Sequence, residues 1–463
     1  MANKLFNEFH AHTKQQWKQQ AVKELKGKNF DETMIWDIDK NIHIEPYYAS
    51  EDIDFQSTKH IQQAQNQRVN FNWQYREMVR YTSEKETNSL ILKLLKSGVD
   101  SFLIDLSDVL LSDVEIKKLL HNFKLSDTPF FFKVENQALN LVNELQKVAP
   151  YQLKGGIVNN PFERWMYTGN WEENHWKNTA ELLRKVQDSP QFKALNLSSH
   201  HYHNAGANAV QELAFSLAQA IEVLDKLSQE GVAIQDILKN IEFSVSVGTN
   251  YFVEIAKLRA LKFLWKKIVI EGYDIDASLT NSTSFHCQTS SYYHASITPQ
   301  TNLLRTTTEA MSAIIGGCDA ISILPFDSEE EDADDFGDRI ARNISIILKE
   351  ESYFDKVIDP SAGSYFIEVL TKEIADEAFK LLKEVEEMGG IMEAFKKGFI
   401  QEQISLEHLK KQEDLAQHKY IMVGVNKFRF DEKPFQKKAM SSPNYDSDLV
   451  LLPNLHLSAI FEV

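Results

Sequence analysis

The chain has only two cysteines, Cys287 and Cys318, in 463 residues. That excludes a disulfide-dense secreted fold and any four-cysteine zinc site. No run of about 18 apolar residues occurs, so the sequence offers no membrane span. Gly-x-Gly-x-x-Gly, Walker-type and Cys-x-x-Cys motifs are all missing, and with them the local signatures of dinucleotide, P-loop and thiol-redox sites. Basic residues are in deficit: 50 Lys and Arg stand against 67 Asp and Glu, a formal net charge of −17. A general nucleic-acid binder and a polybasic membrane contact both need a basic face, so neither is expected. An anionic small ligand stays open, because a local field can oppose net charge. Residues 1–20 are polar and carry Glu8 and three lysines. They resemble neither the apolar core of a signal peptide nor an Arg-rich, acid-poor presequence, and a cytoplasmic protein is the expectation.

What the chain does have is alternation. Apolar runs of strand type fall at 69–73, 101–106, 129–134, 153–158, 193–198, 240–246, 283–287 and 319–324. Helical patterns follow them at 82–97, 112–122, 136–148, 171–187, 207–229, 249–268, 302–315 and 332–350. Parallel neighbours need a crossover, usually helical, so the series predicts a parallel sheet. Eight units in about 280 residues predict an α/β fold closed as a (β/α)₈ TIM barrel rather than an open sheet. The barrel domain is placed at 66–400. Residues 1–65 read as an N-terminal arm with a helix over 13–26, where Trp17, Ala21 and Leu25 share one face. The rest of the arm reads as an extended polar stretch that wraps its own domain or a partner. Within 351–400 the spacing predicts a turn at 359–364, a strand at 365–370 and a charged helix over 371–388 capped by Gly389 and Gly390. Residues 401–463 read as a short C-terminal extension, helical to about 416. The acidic run from Asp327 to Asp335 reads as a solvated loop.

The ends of barrel strands are where active sites are built. His200, His201 and His203 follow the fifth strand. A zinc site there would need three or four tetrahedral ligands, and adjacent histidines rarely converge on one ion, so no metal is assigned. One of them facing the mouth would serve as an acid or hydrogen-bond donor; the alternative is that they line or plug the mouth. After the seventh strand, Gln288 could hold a substrate carbonyl or carboxylate, or satisfy loop backbone. Cys287 has no activating neighbour beyond His286, which disfavours a nucleophilic thiol.

Four stretches together resemble one family. They are His201 to Phe215 (HYHNAGANAVQELAF), Phe285 to Ser290 (FHCQTS), Asn302 to Thr307 (NLLRTT) with Gly316-Gly317, and Arg339 to Asn343 (RIARN) with Asp359 to Tyr365 (DPSAGSY). The resemblance is to the barrel domain of methylmalonyl-CoA mutase, and weaker similarity extends from Trp17 to Val423-Gly424-Val425-Asn426. It implies an adenosylcobalamin-dependent radical rearrangement of an acyl-CoA that lies along the barrel axis. It further implies His201 as proton donor to the thioester carbonyl, Gln288 as a substrate partner, and His200, Asn302 and Arg305 as substrate-binding.

The departures from the family pattern are specific. The cobalt-ligating Asp-x-His-x-x-Gly motif is absent: His203 precedes Gly206 at the right spacing, but His201 stands at the Asp position. The resemblance therefore implies that the flavodoxin-like cobalamin-binding domain is absent here and that a partner holds the cofactor. The family's Arg-Gln-Tyr aligns with Arg76-Glu77-Met78, which replaces a radical-steering tyrosine by methionine. Val158 aligns with a substrate glutamine and Thr168 with a carboxylate-binding arginine, a bidentate clamp that threonine cannot replace. A retained barrel with a dismantled site resembles the small (β) subunit of two-chain bacterial members, which pairs with a catalytic large (α) subunit. The alternatives are an active barrel borrowing a separate cobalamin-binding chain, and a regulatory module that binds acyl-CoA without chemistry.

Overall fold

Ile241–Val247 shows why this sequence closes into a barrel. Phe243, Val245 and Val247 alternate with Glu242, Ser244 and Ser246. Successive side chains of a strand point to opposite faces. The apolar set faces outward, where Phe243 meets Trp265 of the helix Tyr251–Tyr273 edge to face at 5.1 Å. The polar set faces inward, and all seven residues are buried. A strand apolar on one side and polar on the other, yet covered on both, fits a ring of strands wrapped by helices.

The computed structural model describes residues 12–65, 72–330, 335–430 and 449–462. Eight parallel strand positions make the ring. In order they are Gln74–Arg80, Ser101–Asp105, Phe130–Lys133, Lys154–Val158, a fifth in two halves (Gln191–Lys193 and Leu195–Ser198), Ile241–Val247, Ser284–Thr289 and Ala320–Ser322. Each pairs in parallel with the next, and the eighth pairs with the first. The fifth strand is broken at Ala194: its lower half pairs with the fourth strand and its upper half with the sixth. Gly155 of the fourth strand is required by close approach. Its φ is +114°, and a Cβ there would lie 1.8 Å from the Phe130 carbonyl oxygen.

The break at Ala194 is spanned near the top by one side chain. Asn160 caps the helix Pro161–Thr168, its Oδ1 accepting from Phe162 N at 3.0 Å. Its Nδ2 donates to Ser198 O at 3.1 Å and to Gln219 Oε1 at 3.3 Å. Asn160→Ala is expected to lower stability by about 2 kcal/mol, a lost cap plus buried carbonyls left without a donor. A melting temperature equal to the parent's would contradict that role.

Several expectations are corrected. The first strand is Gln74–Arg80, not 69–73, and 69–71 lie outside the described residues. It carries two buried charges, Arg76 and Glu77, whose partners Glu242 and Arg342 are distant in sequence, so its strand character is hidden locally. Residues 365–370 begin the helix Tyr365–Glu387, because Ile367, Leu370, Thr371 and Ile374 are buried at helical spacing. The pattern at 112–122 shrinks to the helix Ile116–Leu119, since Glu115 N–H donates to Glu84 instead of a helical carbonyl. The polar stretch of the arm holds a hairpin, Trp36–Asp39 with Ile42–Ile44, and the helix Phe55–Gln65. Asp327 is buried against Gly337 rather than solvated.

The described part of the arm lies on its own barrel. Gln65 Nε2 donates to Arg259 O at 3.1 Å, and Asn41 Nδ2 to Glu377 at 2.8 Å. At the other end, residues 449–462 strap the rim on the C-terminal side of the strands. Leu452 N donates to Met166 O, Leu455 N to Asn204 O and Leu457 N to Tyr292 O, at 2.8–2.9 Å. Among the described residues no helix is long and apolar enough to cross a membrane.

Candidate functional site: the barrel axis

Arg76 points from the first strand into the middle of the ring. Its Nη1 and Nη2 donate to the two carboxylate oxygens of Glu242 on the sixth strand, both at 2.8 Å. The guanidinium lies over the ring of Phe131 on the third strand, 3.3 Å from its centroid. Asn196 Nδ2 on the fifth strand and Ser284 Oγ on the seventh each reach Glu242 at 3.3 Å. Five strands thus meet at one level. Arg76 and Glu242 are 2% and 3% exposed in their side chains, so the axis is filled here. A bidentate, stacked arginine is the geometry that suits such a buried pair.

Above it, a run of hydrogen bonds crosses the ring with a fixed direction. Ser322 Oγ donates to Arg76 O at 2.8 Å. Its single proton is thereby spent, so it accepts from His286 Nε2–H at 2.9 Å. Neutral His286 accepts at Nδ1 from Ser244 Oγ at 2.7 Å. Ser244 in turn accepts from His200 Nε2–H at 2.9 Å, and His200 Nδ1 accepts from Ser246 Oγ at 2.7 Å. Both imidazoles are neutral. Burial holds His200 down to about 4, assisted by His203, and burial with the nearby Arg76 charge holds His286 well below the usual range. Every nitrogen of the two rings is engaged, so neither is poised to give or take a proton.

The remaining predicted residues lie apart. His201 is fully buried and turns toward the helix Ala209–Gln229, with Nε2 accepting from Gln219 Nε2 at 3.1 Å. It does not share the hydrogen bonds of His200. His203 is bound by Glu212 and Ser290, each at 2.7 Å. Glu212 also meets Lys257, which contacts Glu254 at 2.6 Å. Burial opposes charge on Glu212, but Lys257 and His203 prevail and hold its carboxyl below the usual range.

Gln288 shares the inward face of the seventh strand with Ser284 and His286 and is half-buried at the mouth. Met78, inward on the first strand, is 56% exposed there. Asn302 is fully buried and holds Ala295 N, Ala295 O and Phe326 O, while Arg305 donates to Asn302 and to Val423 O. Both side chains fasten loops. Thr168 Oγ1 donates to Arg164 O within its own helix at 2.7 Å. Cys287 faces outward, its thiol pushed up by burial and by Cys318. Among the described residues no three His, Cys, Asp or Glu side chains gather as metal ligands.

The axial pair was missed in the sequence. The available signal was the period-two run Glu242, Ser244, Ser246 inside an otherwise apolar strand, which marks a polar barrel interior. Nothing local ties Glu242 to Arg76, 166 residues away.

A sequence model of the family described as methylmalonyl-CoA mutase matches residues 108–448. The chain is 34% identical over 469 residues to the methylmalonyl-CoA mutase small subunit of Porphyromonas gingivalis, covering 96% of this chain and 75% of that one. It is 31% identical over 374 residues to the methylmalonyl-CoA mutase small subunit of Streptomyces virginiae, covering 79% and 60%. With the methylmalonyl-CoA mutase of Rhizobium meliloti it shares 34% over 297 residues, 63% of this chain and 42% of the relative. The chain therefore spans three quarters of the first relative and under two thirds of the other two. By family match and by identity across nearly its whole length, the chain belongs to the methylmalonyl-CoA mutase family, whose members are isomerases.

Proposed function

We propose that this chain is the small, supporting subunit of an adenosylcobalamin-dependent methylmalonyl-CoA mutase. The enzyme would interconvert methylmalonyl-CoA and succinyl-CoA in the cytoplasm, with catalysis and cofactor on a large partner subunit. One observation carries this reading: the Arg76–Glu242 pair fills the axis along which the family's acyl-CoA would lie. A thioester arm could pass only by breaking a buried bidentate ion pair. Relatives named as small subunits support the existence of a larger partner.

The mouth does not fit cobalamin. Both nitrogens of His200, His203 and His286 are engaged by serines or Glu212; His201 keeps Nδ1 without a partner, but its ring is fully buried and turned toward Gln219, so none stands ready for cobalt. No step is therefore routed through the cofactor on this chain. Of the residues proposed as catalytic remnants, Gln288 keeps a place at the mouth and remains the candidate for a ligand hydrogen bond.

Mutase activity with adenosylcobalamin should be measured on this chain alone, on a candidate large subunit alone, and on the two co-purified. The expected result is a stable complex whose activity needs both chains, and silence from this chain by itself. Turnover by this chain alone, or failure to form any complex, would overturn the assignment.

A second reading, acyl-CoA binding without turnover, is favoured by a chamber of 460 Å³ beneath the ion pair, with Lys154 and Lys193 on its wall. Calorimetry with a CoA ester tests it: saturable heat is expected if the chamber binds, and none if it does not.

A further inference from the structure

Lys193 ends the lower half of the fifth strand, where the strand breaks, and forms part of the wall of the chamber of about 460 Å³ beneath the Arg76–Glu242 pair. Its side chain is half-buried and its head is held by main chain. Nζ donates to Lys239 O at 2.6 Å and to Ser282 O. No carboxylate among the described residues pairs with it; Glu242 in the axis and Asp319 before the eighth strand act on it only at longer range. The remaining charges of the chamber are cations: Arg76 in the roof, Lys154 on the wall, and Lys262, which donates to Gly316 O and Gly317 O.

Buried lysines are usually paired. Lys257 is one: it meets Glu254 at 2.6 Å and Glu212 at 3.2 Å, and although burial opposes its charge, the two carboxylates drive its pKa up. Without such a partner Lys193 goes the other way. Burial brings its ammonium down from 10.5 to about 8, against the pull of Glu242 and Asp319. The bonding then fixes where the lone pair lies. A lysine nitrogen has four tetrahedral positions. One holds Cε and two point at the carbonyls. A carbonyl only accepts, so those two keep their hydrogens whether the nitrogen is charged or neutral. The proton that leaves comes from the fourth position, and the lone pair replaces it on the chamber side.

We propose that Lys193 is an acceptor site for small acyl groups carried as thioesters. The Nζ lone pair attacks the thioester carbonyl carbon, a C–N bond forms and the C–S bond breaks. The thiolate leaves and takes up the proton given up by nitrogen, so the products are an amide and a free thiol, and nothing is oxidised or reduced. Phe285 and Trp265 give a short acyl chain an apolar wall. A desolvated lysine is a common form of amine nucleophile. At pH 7.5 about a quarter of an amine titrating near 8 is neutral, against about 0.1% of an ordinary lysine. Nucleophilicity falls with basicity, which returns part of that gain and leaves an advantage of about tenfold. The site depends neither on whether the chamber also holds CoA nor on the supporting role of the chain.

The test uses the full chain and S-acetyl-N-acetylcysteamine, a thioester without a nucleotide. Peptide mass mapping over time gives the acetylation rate of each lysine between about pH 6.5 and 10. Lys193 is expected to react about tenfold faster than Lys154 near pH 7.5, although both stand on the chamber wall and meet the same concentration of reagent. Its rate should level off above about pH 8, where an ordinary lysine is still gaining. Lys193→Arg keeps a cation and donors for both carbonyls but offers no amine nucleophile, so the fast adduct should vanish. Equal rates at Lys193 and Lys154, a Lys193 rate that climbs unbroken to about pH 10, or a fast adduct that survives in Lys193→Arg would each overturn the proposal.

Discussion

Glu242→Ala should destabilise the chain by about 3–5 kcal/mol, the largest effect expected of any inward-facing substitution. The loss comes less from the missing attraction than from what is left behind. Arg76 is effectively always protonated, and without Glu242 its charge stays at the centre of the ring with Phe131 beneath it. Arg76→Met should cost less, because burial can neutralise an orphaned carboxylate by raising its pKa. The double variant Arg76→Met/Glu242→Leu should recover most of the loss, since apolar residues of similar volume often replace a buried ion pair without penalty. The coupling term from denaturant unfolding of the two singles and the double measures this directly. If Glu242→Ala unfolded with the parent, the pair would not be holding the axis closed.

The second large effect is in pH. His200 is held down to about 4 by burial, against 6.5 for a free histidine. Below about 6.5 the unfolded chain takes up a proton that the folded chain refuses until about 4, so acid favours unfolding through that interval. The contribution lost by pH 4 is about 3 kcal/mol, at 1.36 kcal/mol per unit. Glu77 and Glu386 act the other way. Burial pushes each up to about 7, so their contribution is complete below about 4.5 and is lost as pH rises through 7. The whole-protein profile is therefore flattened, and a difference between variants isolates the histidine. His200→Gln keeps a donor for Ser244 and an acceptor for Ser246 but cannot titrate. Its stability relative to the parent should rise steadily from pH 6.5 to 4. Parallel profiles would mean that His200 titrates as it does in water.

The ring was legible because crossover helices and strand spacing leave a periodic trace, and seven of eight strands lie within a few residues of where alternation puts them. The exception is informative. Gln74–Arg80 hides behind two charges whose partners sit on other strands, and only the closed ring explains how they are buried. The helix at Tyr365–Glu387 was misread at its start because Tyr-Phe-Ile-Glu-Val-Leu is rich in strand formers, while its burial follows the helical period. At the mouth, sequence placed a histidine correctly near the fifth strand end but could not say which one faces the axis. That choice rests on Ser244 and Ser246, 44 and 46 residues further on. Loop-fastening roles for Asn302 and Arg305 were equally out of reach, since their partners include Phe326 and Val423.

The strap formed by 449–462 has a consequence in time. It ties loops that follow the fourth, fifth and seventh strands, and it comes after all eight strands in the chain. During synthesis, earlier segments emerge and fold before later ones. The rim of the ring therefore waits unlaced until residues 449–462 have left the ribosome. A nascent chain arrested before residue 449 would hold all eight strands and yet have its loops free, a period in which the mouth is as open as it will ever be.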